Sequence, residues 1–82
     1  MHTTSTVSSL IAAEVRRARG EQALRQDELA LAAGVSVRSI HQIEAGKPTT
    51  RLDVLERVLH ALGLTIEVTP RRGRKQPVDR QQ

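Results

Sequence analysis

The stretch that decides the fold is RQDELALAAGVSVRSIHQIEAG, residues 25–46. A short helix is predicted to start near Gln26, because Asp27 and Glu28 place carboxylates at the positive end of a helix dipole. Its apolar side is formed by Leu29, Ala30, Ala32 and Ala33. Gly34 follows the last apolar residue, where helices commonly end in a left-handed conformation that glycine adopts at little cost. The first half of the stretch therefore predicts a short helix that ends in a tight turn.

The second half of the stretch predicts another short helix. Ser36 is a good N-terminal cap, and Gly46 stops the helix after Glu44 and Ala45. Ile40 and Ile43 lie three residues apart and point into the core. The remaining surface carries Val37, Arg38, Ser39, His41 and Gln42. Two helices joined by a tight turn, the second projecting polar groups, form an arrangement that reads the DNA major groove.

Two further helices are predicted on either side of this pair. The first runs roughly from Ser8 to Gly20, with a serine cap and apolar residues at helical spacing. The fourth runs roughly from Arg51 to Leu62 and ends at Gly63, after a loop in which Pro48 prevents simple helix continuation. The fold class expected is all-α, a compact bundle of four helices.

Residues 64–69, LTIEVT, change the period to an alternation of apolar and polar residues, which is typical of a strand with one buried face. No second strand is recognisable in the chain, and an isolated strand leaves its backbone groups unpaired. We therefore predict a homodimer in which Leu64, Ile66 and Val68 of this segment pair with the same segment of a second copy. The alternative is a frayed continuation of the fourth helix.

Composition excludes several classes of protein. The 82 residues contain no cysteine and no aromatic residue, which argues against disulfides, thiolate metal sites and base-stacking platforms for single strands. His2, His41 and His60 are scattered without a ligand spacing, and there is no phosphate-binding glycine loop or nucleophile elbow. We expect no enzyme activity, no cofactor and no metal. No membrane span or secretory signal is recognisable, so a cytoplasmic, nucleoid-associated protein is expected.

Charge divides the chain into three parts. Residues 1–69 hold eight basic and eight acidic residues, whereas residues 70–82 hold five basic residues and one aspartate, which is the whole net charge of +4. We expect a flexible N-terminal segment at 1–7, a domain at 8–69 and a basic disordered tail at 70–82. The tail is interpreted as an arm for phosphates or for an acidic protein surface, or as a solubilising segment only.

Residues 8–69 resemble the lambda-repressor-like helix-turn-helix family, also called the XRE family. The resemblance lies in LRQDELALAAGVSVRSIHQIEAGK, residues 24–47. The segment LDVLERVLHALGLTIEV, residues 52–68, looks like the HipB-like antitoxins, whose partners are HipA-like kinase toxins and whose strand after the last helix pairs across a dimer. The resemblance implies a repressor that binds a palindromic operator in double-stranded DNA as a homodimer. It also implies that this repressor is the antitoxin of a toxin-antitoxin system and represses its own operon. Many plain repressors share this ending, so a stand-alone regulator is the alternative.

The resemblance also implies roles for particular residues. Arg38, Gln42 and Val37 match positions that face the bases, where they suit guanine, adenine and the thymine methyl group. Phosphate contacts are expected from Gln26, Ser36, Ser39, Lys47, Thr49 and Arg51. Gln26 can also brace a side chain that reads a base.

Plainer interpretations exist for some of these residues. Arg38 can instead be a solvated residue that pairs with Glu44 or touches only phosphate. Lys47 can serve loop solvation alone, and His41 is interpreted as a surface residue without a role. Glu44 is interpreted as an internal partner that supports the motif.

Overall fold

The computed structural model describes residues 4–70, with side chains described from Val7 onward. Four helices occupy this part of the chain: α1 Thr4–Glu21, α2 Gln26–Ala33, α3 Val37–Glu44 and α4 Leu52–Ala61. The predicted all-α architecture of four helices is confirmed. Residues 1–3 and 71–82, which include most of the predicted basic tail, lie outside the described residues.

Helix α1 begins at Thr4, four residues before the predicted start at Ser8. Ser8 and Ser9 therefore lie inside the helix and do not cap it. Serine disfavours a helix only mildly, and no glycine or proline interrupts residues 4–9. Val7 and Ile11, one turn apart, line the same apolar hollow on the surface, so the added turn gains apolar contact.

The turn between α2 and α3 follows the prediction. Gly34 has a φ of 72° and its N–H donates to the Leu31 carbonyl, while the Val35 N–H donates to the Ala30 carbonyl at 3.0 Å. These bonds satisfy carbonyls that the end of α2 would otherwise leave unpaired. The Ser36 hydroxyl then accepts from the Ser39 N–H at 3.1 Å and caps α3. The two helices are therefore joined by a turn with few degrees of freedom.

The core joins one face of each helix. The four largest side chains that are fully buried come one from each helix: Val15, Leu29, Ile40 and Val58. Ile43, Leu55, Leu59 and Leu62 pack around them in the same cluster. Full burial of an aliphatic side chain of this size contributes about 1.5–3 kcal/mol. Ile40 and Ile43 bury one face of α3 in the core, so the opposite face of this helix is exposed to solvent.

Helix α4 ends at Ala61, and Gly63 follows with a φ of 77°. The Leu64 N–H donates to the Leu59 carbonyl at 2.8 Å, which closes the helix end and turns the chain away from the helix axis. Residues 64–70 are therefore not a continuation of α4. Within the described part of the chain this segment forms neither helix nor strand, and the predicted pairing with a second copy stays a prediction.

Candidate nucleic-acid interface

Helix α3 separates its buried face from its exposed face sharply. Ile40 is fully buried and Ile43 is 3% exposed, whereas Val37 is 39% exposed. Arg38 and His41 are exposed, and Ser39 and Gln42 are half-buried. The three residues predicted to contact bases, Val37, Arg38 and Gln42, therefore share the surface of one helix. This surface combines a guanidinium, an amide and an apolar side chain, which are three groups that can discriminate base edges in a major groove.

Ser36 and Ser39 form a pair of hydroxyl groups at the start of α3. Their Oγ atoms are 3.0 Å apart, and the Ser36 Oγ also accepts the Ser39 N–H. One hydroxyl hydrogen is shared within the pair, so the other hydroxyl hydrogen stays available as a donor. The structure therefore gives Ser36 a capping role and leaves the pair able to donate to a phosphate oxygen.

Glu44, the last residue of α3, carries a buried carboxylate whose side chain is 6% exposed. Arg19 of α1 pairs with it through two bonds, from Nε to Oε2 at 2.6 Å and from Nη2 to Oε1 at 2.9 Å. Gln26 adds a third bond, from Nε2 to Oε1 at 3.0 Å. The prediction that Glu44 pairs internally is confirmed, and these bonds replace the alternative in which it pairs with Arg38.

Two more bonds extend this cluster to the backbone. Arg19 donates through Nη1 to the Leu24 carbonyl at 3.0 Å, and Arg16 donates to the Glu44 carbonyl at the end of α3. The first bond holds the loop before α2, and the second satisfies a carbonyl that the helix end leaves free. Arginines of α1 therefore fix both ends of the helix pair.

The pKa of Glu44 reflects the balance in this cluster. Burial alone would raise the pKa of the carboxyl, but hydrogen bonds from Arg19 and Gln26 outweigh burial and leave the pKa below its usual range. The pKa of the Arg19 guanidinium is raised by its hydrogen bonds to Glu44. The pair is therefore ionised at neutral pH, and a buried charge with this many partners is well compensated.

The loop after α3 places the next predicted phosphate contacts at the surface. Gly46 has a φ of 77° and the Lys47 N–H donates to the Gln42 carbonyl at 3.0 Å, which ends α3. Lys47 and Thr49 are exposed. Arg51 is exposed too, but it pairs with Asp53 through Nη2 and Oδ2 at 2.9 Å, which offsets part of its charge. Lys47 thus presents the less compensated cation of this loop.

Sequence reasoning assigned no role to Arg25, which is the N-cap of α2 and lies directly before Gln26. Its N–H donates to Glu28 Oε1 at 2.8 Å, and its guanidinium lies 3.1 Å from Asp27 Oδ1. The hydrogen bond from Arg25 lowers the pKa of the Asp27 carboxyl. The sequence held one signal for this residue: an arginine occupies the N-cap position, where serine, threonine or aspartate is usual.

Reasoning from the sequence also missed that Arg19 is the partner of Glu44. The signal was indirect: a glutamate among the apolar residues of α3 needs a cation, and α1 supplies several. A spacing of 25 residues gives no local pattern that would select Arg19 from its neighbours.

The described residues 4–70 contain no cluster of three or more metal-ligating side chains. Over the same range, no helix combines the length and the apolar character needed to cross a membrane.

Comparison with known proteins agrees with this geometry. A family profile described as helix-turn-helix matches residues 15–68, which include the C-terminal part of α1, the whole of α2, α3 and α4, and most of the segment that follows. A protein of Sinorhizobium fredii (strain NBRC 101917 / NGR234), described as the uncharacterized HTH-type transcriptional regulator y4mF, is 52% identical over 58 residues, which cover 71% of this chain and 76% of that protein. The chain therefore belongs to the helix-turn-helix family, in its lambda-repressor-like (XRE) form.

Proposed function

We propose that this protein is a transcriptional repressor that binds a palindromic DNA operator as a homodimer, with α3 of each copy in the major groove. The observation that carries the proposal is the division of α3, whose apolar face is buried while its polar face is exposed. Membership of the helix-turn-helix family and similarity to an HTH-type transcriptional regulator support it.

Base recognition is assigned to three side chains. Arg38 is exposed and has the planar pair of donors that matches the O6 and N7 acceptors of guanine. Gln42 lies one turn further along α3 and suits adenine, and Val37 suits a thymine methyl group. These three residues would supply the sequence preference.

Phosphate contacts are assigned to residues on both sides of α3, which position the helix without reading sequence. They are Gln26, Ser36, Ser39, Lys47, Thr49 and Arg51. The exposure of Lys47 and Thr49 and the spare hydroxyl hydrogen of the serine pair support these roles.

The dimer is assigned to residues 64–69. Ile66 is 44% exposed and Val68 is 95% exposed. Apolar side chains exposed together in this way are typical of a surface that binds another protein. Three adjoining surface hollows are all lined in part by Ile66, and their other lining residues include Val7, Leu10 and Leu52. Leu10 and Leu52 are 63% and 65% exposed, so this apolar face is continuous with the segment. A second copy would pair the backbone of Leu64, Ile66 and Val68 and cover the face.

Footprinting on the DNA upstream of the protein's own gene tests the proposal. Repression of its own operon predicts a protected region with two half-sites whose centres lie about 34 Å apart, one turn of the duplex. Protection of a single half-site, or no protection at an excess of protein over the duplex, would contradict binding as a symmetric dimer at this promoter.

A second candidate function is that of an antitoxin that silences a HipA-like kinase toxin and represses its own operon. The similarity of residues 52–68 to HipB-like antitoxins and the exposed apolar side chains after α4 favour it. The alternative is a stand-alone XRE-family regulator. Co-expression with a kinase-like gene found beside this one separates the two, because an antitoxin would co-purify with that kinase and relieve its growth arrest, whereas a stand-alone regulator would do neither.

A further inference from the structure

We propose that the buried Arg19–Glu44 pair is a positioning device for DNA binding, which acts by holding the amide of Gln26 in one orientation. In that orientation the Gln26 Nε2 bridges the Glu44 carboxylate and a DNA phosphate, using one N–H for each. This inference rests on the proposed function, because it needs Gln26 to lie at the DNA backbone.

The first step is the identity of the atom that faces Glu44. The amide of Gln26 lies 3.0 Å from Glu44 Oε1, and an ionised carboxylate can only accept hydrogen bonds. The amide must therefore turn its nitrogen toward Glu44 and its carbonyl oxygen away. A glutamine amide in water has no such preference between its two ends.

The second step is the rigidity of the carboxylate itself. Glu44 is the one buried charged residue among those described, and Arg19 binds both of its oxygens. Arg19 is in turn held by the Leu24 carbonyl, two residues before Gln26 in the chain. The same guanidinium thus fixes the acceptor and the loop that leads into Gln26.

The third step concerns the hydrogen-bond donor of Gln26 that Glu44 does not use. Its side chain is half-buried at the first position of α2, and Nε2 keeps a second N–H after the bond to Glu44. A phosphate oxygen accepts an N–H but repels a carbonyl oxygen, so only this orientation of the amide lets Nε2 serve both acceptors. A freely rotating amide would present the carbonyl oxygen part of the time and would lose affinity.

The test is a double-variant comparison of affinity for an operator duplex by fluorescence anisotropy. Gln26→Ala is combined with Arg19→Met/Glu44→Met, a pair of changes that removes the anchor but keeps the core filled, because buried ion pairs often tolerate apolar replacements of similar volume. Glu14→Gln is the matched control for Glu44, since Glu14 pairs with Arg17 on the exposed face of α1.

We expect Gln26→Ala to weaken binding by about 10- to 100-fold, the size of one hydrogen bond to a charged group. Arg19→Met/Glu44→Met should remove part of this contribution, so adding Gln26→Ala to that background should cost clearly less than it costs in the wild-type protein. Because glutamine is neutral, none of these variants should change the slope of affinity against salt concentration. An undiminished cost of Gln26→Ala in the anchor-free background would overturn the proposal.

A second measurement uses the free protein and a variant that keeps the charge of the carboxylate. Glu44→Asp withdraws the carboxylate by one methylene, so the side-chain amide resonances of Gln26 should move toward those of a solvated glutamine, while Glu14→Gln should leave them in place. Unmoved resonances in Glu44→Asp would also overturn the proposal.

The outcomes also separate this inference from the proposed function. If Gln26→Ala binds the operator normally while Arg38→Ala does not, the inference fails and the proposed function stands. If the wild-type protein prefers no duplex sequence over any other, the proposed function itself fails.

Discussion

Arg38 carries the clearest functional assignment of a single residue. Its guanidinium is exposed on α3, and the carboxylate that competed for it in one interpretation, Glu44, is occupied by Arg19 and Gln26. Arg38→Ala is expected to weaken binding to an operator by about 1–3 kcal/mol and to relax the preference at one base pair. The measurement is affinity for a set of duplexes that differ at single positions, and an equal loss on random DNA would contradict a base contact.

The Arg19–Glu44 pair predicts how folding stability responds to acid. The pKa of Glu44 is below its usual range in the folded protein, so its carboxylate stabilises the fold above pH 4.5, its ordinary value, and this contribution is lost as the pH falls through the folded pKa. We expect the thermal midpoint to fall with acid below that pH, and to fall less steeply in Glu44→Gln. The pKa of Glu14 is lowered too, by its hydrogen bond to Arg17, but Glu14 is exposed to solvent, so Glu14→Gln should keep most of the wild-type slope. Equal slopes in wild type and Glu44→Gln would contradict the role given to the pair.

Ala23 stores strain in the turn between α1 and α2. It has a φ of 56°, a left-handed conformation that a side chain makes costly, whereas glycine adopts it freely. Ala23→Gly is therefore expected to raise the free energy of unfolding by about 0.5–1 kcal/mol in chemical denaturation, because relief of about 1–2 kcal/mol of strain outweighs about 0.4–1 kcal/mol of added entropy in the unfolded chain. Ala32→Gly, at an exposed position inside α2, serves as the control and should lower it by about 1 kcal/mol. The same sign for both variants would show that Ala23 is not strained.

At the scale of the elements, the ends of α2, α3 and α4 lie within a residue or two of the predicted ends. The signals there are local: Ser36 caps α3, and Gly34, Gly46 and Gly63 each adopt a positive φ just after a helix. The start of α1 was wrong because serine at residues 8 and 9 fits a helix interior as well as a cap. The Glu44 cluster could not be predicted for another reason, since its members come from three different helices, α1, α2 and α3.

The segment after α4 has no regular secondary structure in a single copy of the described chain. Its alternation predicts a strand, and the described residues offer it no partner, so we propose that its structure depends on a second copy. Ile66→Asp is expected to convert a dimer into a monomer in sedimentation, because it places a charge among the apolar side chains to be buried. Thr65→Asp, on the other face of the predicted strand, is the matched control. An unchanged dimer in Ile66→Asp would place the interface elsewhere.

At the scale of the whole molecule, charge is distributed unevenly along the chain. The body has no net charge and the last 13 residues carry all of it. Deletion of residues 70–82 is expected to flatten the dependence of DNA affinity on salt, because fewer counterions are released when fewer cations meet phosphates. Binding measured across a range of salt concentrations checks this, and an unaltered slope would assign the tail to a protein surface.

The proposed repressor carries two identical recognition helices, one in each copy of the chain, which are related by two-fold symmetry. The measurement that tests this most directly is selection of bound sequences from random duplex DNA with the purified protein. The selected pool is predicted to contain an inverted repeat with half-sites about one duplex turn apart, and Arg38→Ala should lose one base pair of each half-site. A pool with no enriched sequence, or with a single unrepeated site, would contradict the account.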